Sequence, residues 1–273
     1  MRELIDGQLV DGFERELFQA ALANLDAANN PLRFNNFSYA MRELVRHVLA
    51  RLAPDEEVLN CSWYKNETEN QNGISRKQRV FYAVHGGLTR SYVQDELGLD
   101  LEDIHRTLRD TVNELSKYTH IQPAIFNVDD DKVLELVDET MSAVVYLFDI
   151  MDESRHLLLN ALRYHIERSI FEAAVGETIL SIDELASHHS IEIVFTDEVE
   201  VAEICSRFVT FLASGELVCE LQWGSGGDQR RGDGAVSSES FPFTCVLKGP
   251  VQNPSAIQVD EHALDVDTSS WFE

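Results

Sequence analysis

The chain has 273 residues, 44% hydrophobic and 26% charged, a composition with enough apolar side chain to bury a core. Its 48 acids against 22 bases give a net −26, which repels phosphate backbones at long range and excludes a general nucleic-acid-coating protein while leaving room for a locally basic site. No run of about 18 apolar residues occurs, and Met1-Arg2-Glu3-Leu4-Ile5-Asp6 lacks a basic-then-apolar start, so the sequence reads as having no membrane span and no signal peptide, and as cytoplasmic.

From Leu9 to about Leu25, apolar residues recur at spacings of three and four and predict an amphipathic helix. Asn29-Asn30-Pro31 stops it, and a second helix is expected from about Asn36 to Leu52, ending before Pro54. Asp55 to Gly73 is polar and reads as a long surface connection. Helix returns over Arg76–His85, breaks at Gly86-Gly87, and resumes as short elements, Arg90 to Leu97 and Leu101 to Tyr118. Asp131 to Met151 and Ser154 to Val175 are expected to form an antiparallel helical pair, with one long helix left open because nothing near residue 152 is a strong breaker.

After Gly176 the period changes to two. Ile191, Ile193 and Phe195, then Phe208 to Leu212, Leu217 to Trp223, and Phe241 to Leu247 read as half-buried strands. The predicted fold class is therefore α+β: an N-terminal all-helical domain, residues 1–180, followed by a smaller antiparallel β-rich, sandwich-like domain, residues 181–273, with a Gly-rich hairpin loop at 224–234. The acidic stretch after Asn253 is expected to pack loosely, pinned by Trp271 and Phe272. Cys61, Cys205, Cys219 and Cys245 show no C-x-x-C spacing, so neither a disulfide nor a zinc cluster is expected.

Charge is distributed unevenly. Residues 177–273 hold 18 acids and 4 bases, whereas no acid occurs between Asn70 and Gln94, where Arg76, Lys77, Arg79 and Arg90 fall beside His85. That window is the candidate for contacting a nucleic-acid backbone; a solvated helix face paired with neighbouring acids is the alternative. The loop residues Asp228, Arg230, Arg231 and Asp233 form a candidate site for a phosphate or a carboxylate on a partner or ligand.

Four further patterns bear on chemistry. Arg42-Glu43-Leu44-Val45-Arg46-His47 resembles the Arg-x4-His motif of HEPN-type ribonucleases, which are helical, metal-independent and usually dimeric. A histidine can move a proton at neutral pH while an arginine holds the phosphate that gains charge. On one helix the two residues stand about 140° apart around the axis, so they converge only through long side chains or across a dimer. Glu220-Leu221-Gln222 is a lysine-less variant of the Glu-x-Lys end of an endonuclease metal site. Residues 88 to 118 have helix-turn-helix spacing, but the would-be recognition helix opens with Glu102-Asp103, the wrong sign for phosphates. His188-His189 reads as a surface turn.

Two stretches carry a wider resemblance: Phe34-Asn35-Asn36-Phe37-Ser38-Tyr39-Ala40-Met41-Arg42-Glu43-Leu44 with Arg46-His47, and Leu221-Gln222-Trp223-Gly224-Ser225 through Arg230-Arg231-Gly232-Asp233-Gly234 to Phe241-Pro242-Phe243. Together they resemble prokaryotic nucleases, themselves assigned by inference, associated with PIWI-like defence genes. The resemblance implies an antiviral-defence setting. The sequence therefore leads to a metal-independent, cofactor-free ribonuclease acting on single-stranded RNA, with Arg42 and His47 catalytic, Arg46 and the acid-free window binding RNA, and a homodimer supplying a second copy of the pair. The alternative is a non-catalytic subunit of a defence complex that binds a protein or small ligand through its β domain.

Overall fold

A computed structural model describes residues 1–98, 106, 110, 121, 123, 126–176 and 178–272. The chain divides into two compact units, Met1–His156 and Leu157–Glu273.

In the first unit, α1 (Arg2–Gln8) and α2 (Phe13–Asp26) replace the single helix expected from Leu9. The break lies at Gly12, whose φ of +88° a helix does not admit. Helix α3 (Arg33–Leu52) buries Phe34, Phe37, Met41, Leu44, Val45 and Val48 along one stripe. It stops short of Pro54, as the steric restriction on the residue before proline requires. The polar connection after it folds back more than expected: α4 (Asp55–Asn60) is followed by Cys61, which is buried with Ala53, Val58 and Tyr82 under Trp63 and Tyr64. Helix α5 (Arg76–His85) is opened by a reciprocal capping box between Ser75 and Gln78. A π-helical turn spans Tyr92–Glu96. The remainder of the helix-turn-helix spacing, with Glu102 and Asp103, falls outside the described residues.

Helix α6 (Asp130–Gly176) is one continuous 47-residue helix and not an antiparallel pair. Its middle holds neither proline nor glycine; Ser154 donates its hydroxyl to Ile150 O at 2.8 Å without interrupting the ladder. Residues of α1, α2, α3 and α5 and the helix residues up to Met151 share one apolar cluster centred on Phe18, Phe34, Phe37 and Met41. No helix among the described residues is long and apolar enough to cross a membrane.

The second unit contains the last twenty residues of α6, the short α7 (Leu180–Asp183) and an antiparallel sheet in the order β1-β2-β3-β4. The fold is α+β as the periodicity predicts, but the described strands form one sheet rather than two facing ones. β1 (His188–Ile204), β2 (Phe208–Trp223) and β3 (Ala235–Pro250) are 16 or 17 residues long, and β4 (Gln258–Val266) occupies part of the tail expected to pack loosely. β2 runs straight through what reads as two strands because Gly215 continues it: a Cβ there would meet Phe195 O at 1.9 Å, so the strands cross closely only at glycine. Strict alternation buries Val209, Phe211, Ala213, Leu217, Cys219 and Leu221 on one face, with Phe241, Phe243, Cys245 and Leu247 beside them. In α6, Leu158, Leu162, Ile166 and Ile170 are buried at a four-residue repeat, and Ser169 donates to Ile257 O at 3.3 Å.

Candidate functional site

The half-exposed flank of α3 carries the first candidate. Glu43 accepts from Arg46 at 2.8 Å and lies 3.6 Å from Arg42, so one carboxylate spans both arginines. An Nη of Arg46 in turn stands 3.1 Å from His47 Nε2. The imidazole also meets the Phe13 ring edge-on, with centroids 4.8 Å apart. One turn further on, Arg51 donates to both oxygens of the buried Glu14 at 2.8 and 3.0 Å. Burial raises the affinity of Glu14 for a proton, but the Arg51 hydrogen bonds, the Val10 N–H and the charges of Arg51 and His47 outweigh it and hold the carboxyl below its ordinary range.

These residues form a ridge of three arginines, two glutamates and one histidine. The arginine that reaches His47 is its neighbour Arg46; Arg42 is drawn toward Glu43. Around the helix axis Arg46 diverges from His47 by about 100° and Arg42 by about 140°, so neither stands directly over the imidazole, and the long side chain of Arg46 bends back to it. Glu14 and Arg51, 37 residues apart in the chain, carry no sequence motif that would have marked them.

The acid-free window is split by its own helix. Arg79 is committed within the protein, donating to Ala53 O at 2.9 Å and pairing with Asp55 at 2.6 Å. The Arg90 guanidinium lies 5.5 Å from the Phe81 ring centre. Arg76 and Lys77 are exposed in the first turn of α5, with no acid in that turn and no ion-pair partner among the described residues. Two cations at a helix N-terminus stand against its dipole, an arrangement that a bound anion relieves.

The Gly-rich connection between β2 and β3 is a closed structure. Ser225 and Asp228 cap a six-residue helix, α8 (Gly226–Arg231), ended by Gly232 in the left-handed region. Hydrogen bonds from the Ser225 hydroxyl and amide, then from Arg231, hold the Asp228 carboxyl below its ordinary range. Arg231 bonds Asp228 and lies 3.4 Å from Asp233, and Arg230 donates to Gly226 O at 3.0 Å. Gln229 ties the two strand ends by donating to Trp223 O and Ala235 O, each at 3.1 Å. Elsewhere in this unit, His189 Nδ1 lies 3.0 Å from Asp183, and Trp271 stacks on Trp223. Glu220 faces away from the buried side of β2, and no three metal-binding side chains converge among the described residues. Cys219 is pushed up to about 11 by burial, reinforced by Glu239 and Glu192.

Comparison with known proteins adds the family. Neither a curated protein nor a solved structure matches the chain. Two family models do, both described as predicted pPIWI-associating nuclease: one over residues 6–179, which includes the whole α3 ridge, and one over residues 151–272, which includes the sheet. The first alone spans more than half of the sequence, and the chain belongs to the predicted pPIWI-associating nucleases.

Proposed function

We propose that the chain is a metal-independent ribonuclease that cuts single-stranded RNA in a prokaryotic antiviral-defence system, in the cytoplasm and beside a pPIWI protein. The observation that carries this reading is the 3.1 Å approach of Arg46 to His47 on an exposed helical flank. It puts an acid–base group next to a fixed cation, the two elements that transesterification of RNA needs. His47 takes the proton of a 2′-hydroxyl as that oxygen attacks phosphorus; Arg46, with Arg42, stabilises the added negative charge; the 5′-oxygen leaves with a proton from a second acid. A homodimer supplies that acid as the other copy's His47. Arg76 and Lys77 hold the strand by its phosphates, with Arg79 and Arg90 flanking them.

The test is cleavage of a single-stranded RNA in EDTA by the wild type and by His47→Ala. Activity should persist in EDTA and fall by a factor on the order of 10² in the variant. Full activity in His47→Ala removes the assignment, and loss of wild-type activity in EDTA replaces it with a metal-dependent one. Charge reversal at Arg76 and Lys77 should flatten the dependence of RNA affinity on salt.

A second reading, a non-catalytic subunit that binds a partner or small ligand through the β domain, is supported by the acidity of that region, where residues 177–273 hold 18 acids and 4 bases. In its narrowest form the docking elements are Asp228, Arg230, Arg231 and Asp233.

A further inference from the structure

We propose that the solvent-facing side of the sheet is the docking surface for a protein segment that mixes lysine or arginine with aliphatic side chains. The proposal rests on the reading that the chain works beside a partner protein, and names the surface and the chemistry of what it receives.

Strand pairing defines this face. Ile193 pairs with Val218, Phe195 with Glu216, Glu198 with Ser214 and Glu200 with Leu212, and Leu212 pairs onward with Val246. Directly paired residues of antiparallel strands share a face, and here that face is the one opposite the buried Phe211, Leu217 and Phe243. A solvated sheet face is normally polar. On this one Ile193 is 44% exposed and Phe195 53%, with Leu212 and Val246 also open. A hollow of about 590 Å³ borders it, lined by Asp197, Glu198, Glu200, Leu212 and Val246 together with Val199, Ala213 and Cys245 of the opposite side. Its one cationic lining residue, Arg163, is paired with Glu167 at 2.9 Å.

The surface thus joins open apolar side chains to acids without partners. No lysine or arginine occurs between His188 and Ile204, and Asp197, Glu198, Glu200 and Glu203 form no ion pair among the described residues. Charge decides the occupant. A nucleic acid is repelled, and a second copy of a chain with net −26 brings the same sign to the contact. A basic segment satisfies the acids, and its aliphatic residues cover Ile193, Phe195, Leu212 and Val246. It lies across the face and does not extend the sheet, because both edge strands are interrupted, β1 by register shifts at three bulges and β4 by a shift between Val259 and Leu264, and neither offers a continuous edge ladder.

The experiment measures binding of the full chain to three twelve-residue peptides: alternating lysine and valine, alternating lysine and glycine, and alternating glutamate and valine. The lysine–valine peptide should bind about tenfold tighter than the lysine–glycine peptide of equal charge, and the glutamate–valine peptide should not bind. Phe195→Ser should erase the advantage of valine. Glu198→Lys with Glu200→Lys should weaken binding by about tenfold or more, while the same charge change at Asp138 and Asp149 on α6 should not. The circular dichroism spectrum and RNA cleavage of each variant are recorded alongside, so that loss of docking is separated from loss of fold and from any failure of the ribonuclease reading. Equal affinity for the two lysine peptides, or equal weakening by the control reversals, overturns the proposal. So does a dimer, seen by light scattering, that the sheet substitutions dissolve, since the occupant is then a second copy.

Discussion

Helix α3 of the first unit and strand β1 of the second treat charge in opposite ways. Along α3 nearly every ion is answered within a turn or by the facing helix: Glu43 lies between Arg42 and Arg46, and Arg51 closes on Glu14. Along β1 the acids point outward with no cation on the strand to meet them. The contrast follows from secondary structure. A helix brings residues three and four apart together, so a mixed-sign sequence neutralises itself. A strand sends every second residue to the same face and pairs it only with a neighbouring strand, so β1 can be neutralised only if β2 supplies cations, and it supplies serine, leucine and glutamate. Local pairing along α3 sets off the exposed Arg76 and Lys77, which have no ion-pair partner among the described residues; the lack of such pairing along β1 leaves a surface of one sign.

The hardest way to break this comparison is to ask whether each unit is held by its own core. Phe37 in α3 and Phe211 in β2 are both completely buried. Cutting either to alanine should cost about 3–5 kcal/mol. In a Trp63→Phe background only Trp223 and Trp271 fluoresce. Phe211→Ala should then lower the urea midpoint of that signal strongly and Phe37→Ala much less. Equal shifts from both would mean that the two units unfold as one, their boundary being geometric and not energetic.

What sequence disclosed divides along the same line. Arg76–His85 is legible to the residue because Ser75, Gln78 and Gly86 mark both ends, and the α3 stripe is legible because its period is undisturbed. Glycine misleads in both directions: Gly12 is a silent break inside a helical period, and Gly215 suggests a break where the backbone needs only close approach. In β4 the alternation is hidden by His262, whose φ of +64° interrupts an otherwise extended segment. The candidate site was half visible. Composition exposed the acid-free window and the Arg/His cluster, but only side-chain reach places Arg46 rather than Arg42 against His47, and only tertiary packing brings Glu14 to Arg51.

The next effect down in size tests that packing. Arg51→Ala strips the buried Glu14 of both its charged hydrogen bonds and should cost about 2–3 kcal/mol at neutral pH. Because the folded carboxyl is held below its unfolded value, the pair's contribution is complete above the ordinary carboxylate range and is lost as pH falls through the folded pKa. The gap between wild type and variant should therefore be widest near neutrality and close below about pH 4. A gap that stays constant with pH would assign the effect to lost packing of the arginine stem and not to charge.

The smallest effects belong to the Gly-rich connection, and their ranking separates its shape from its charge. Gly232 adopts a φ of +79°, so Gly232→Ala should cost about 1 kcal/mol through backbone strain alone. Arg230 and Arg231 are exposed, and the framework around them is set independently by the Ser225 cap and by the two hydrogen bonds of Gln229. Removing both arginines should therefore move the melting temperature by no more than about 2 °C, since exposed charges contribute little to folding. If the connection recognises an acidic group on a partner, the same double substitution abolishes capture of the pPIWI protein while Gly232→Ala weakens it only slightly. If capture depends instead on the sheet face, the arginine pair leaves it intact and Phe195→Ser removes it. A large drop in melting temperature on losing the arginines would show that their bonds to Asp228, Asp233 and Gly226 O hold the hairpin end together, and would make this turn part of the fold's own support.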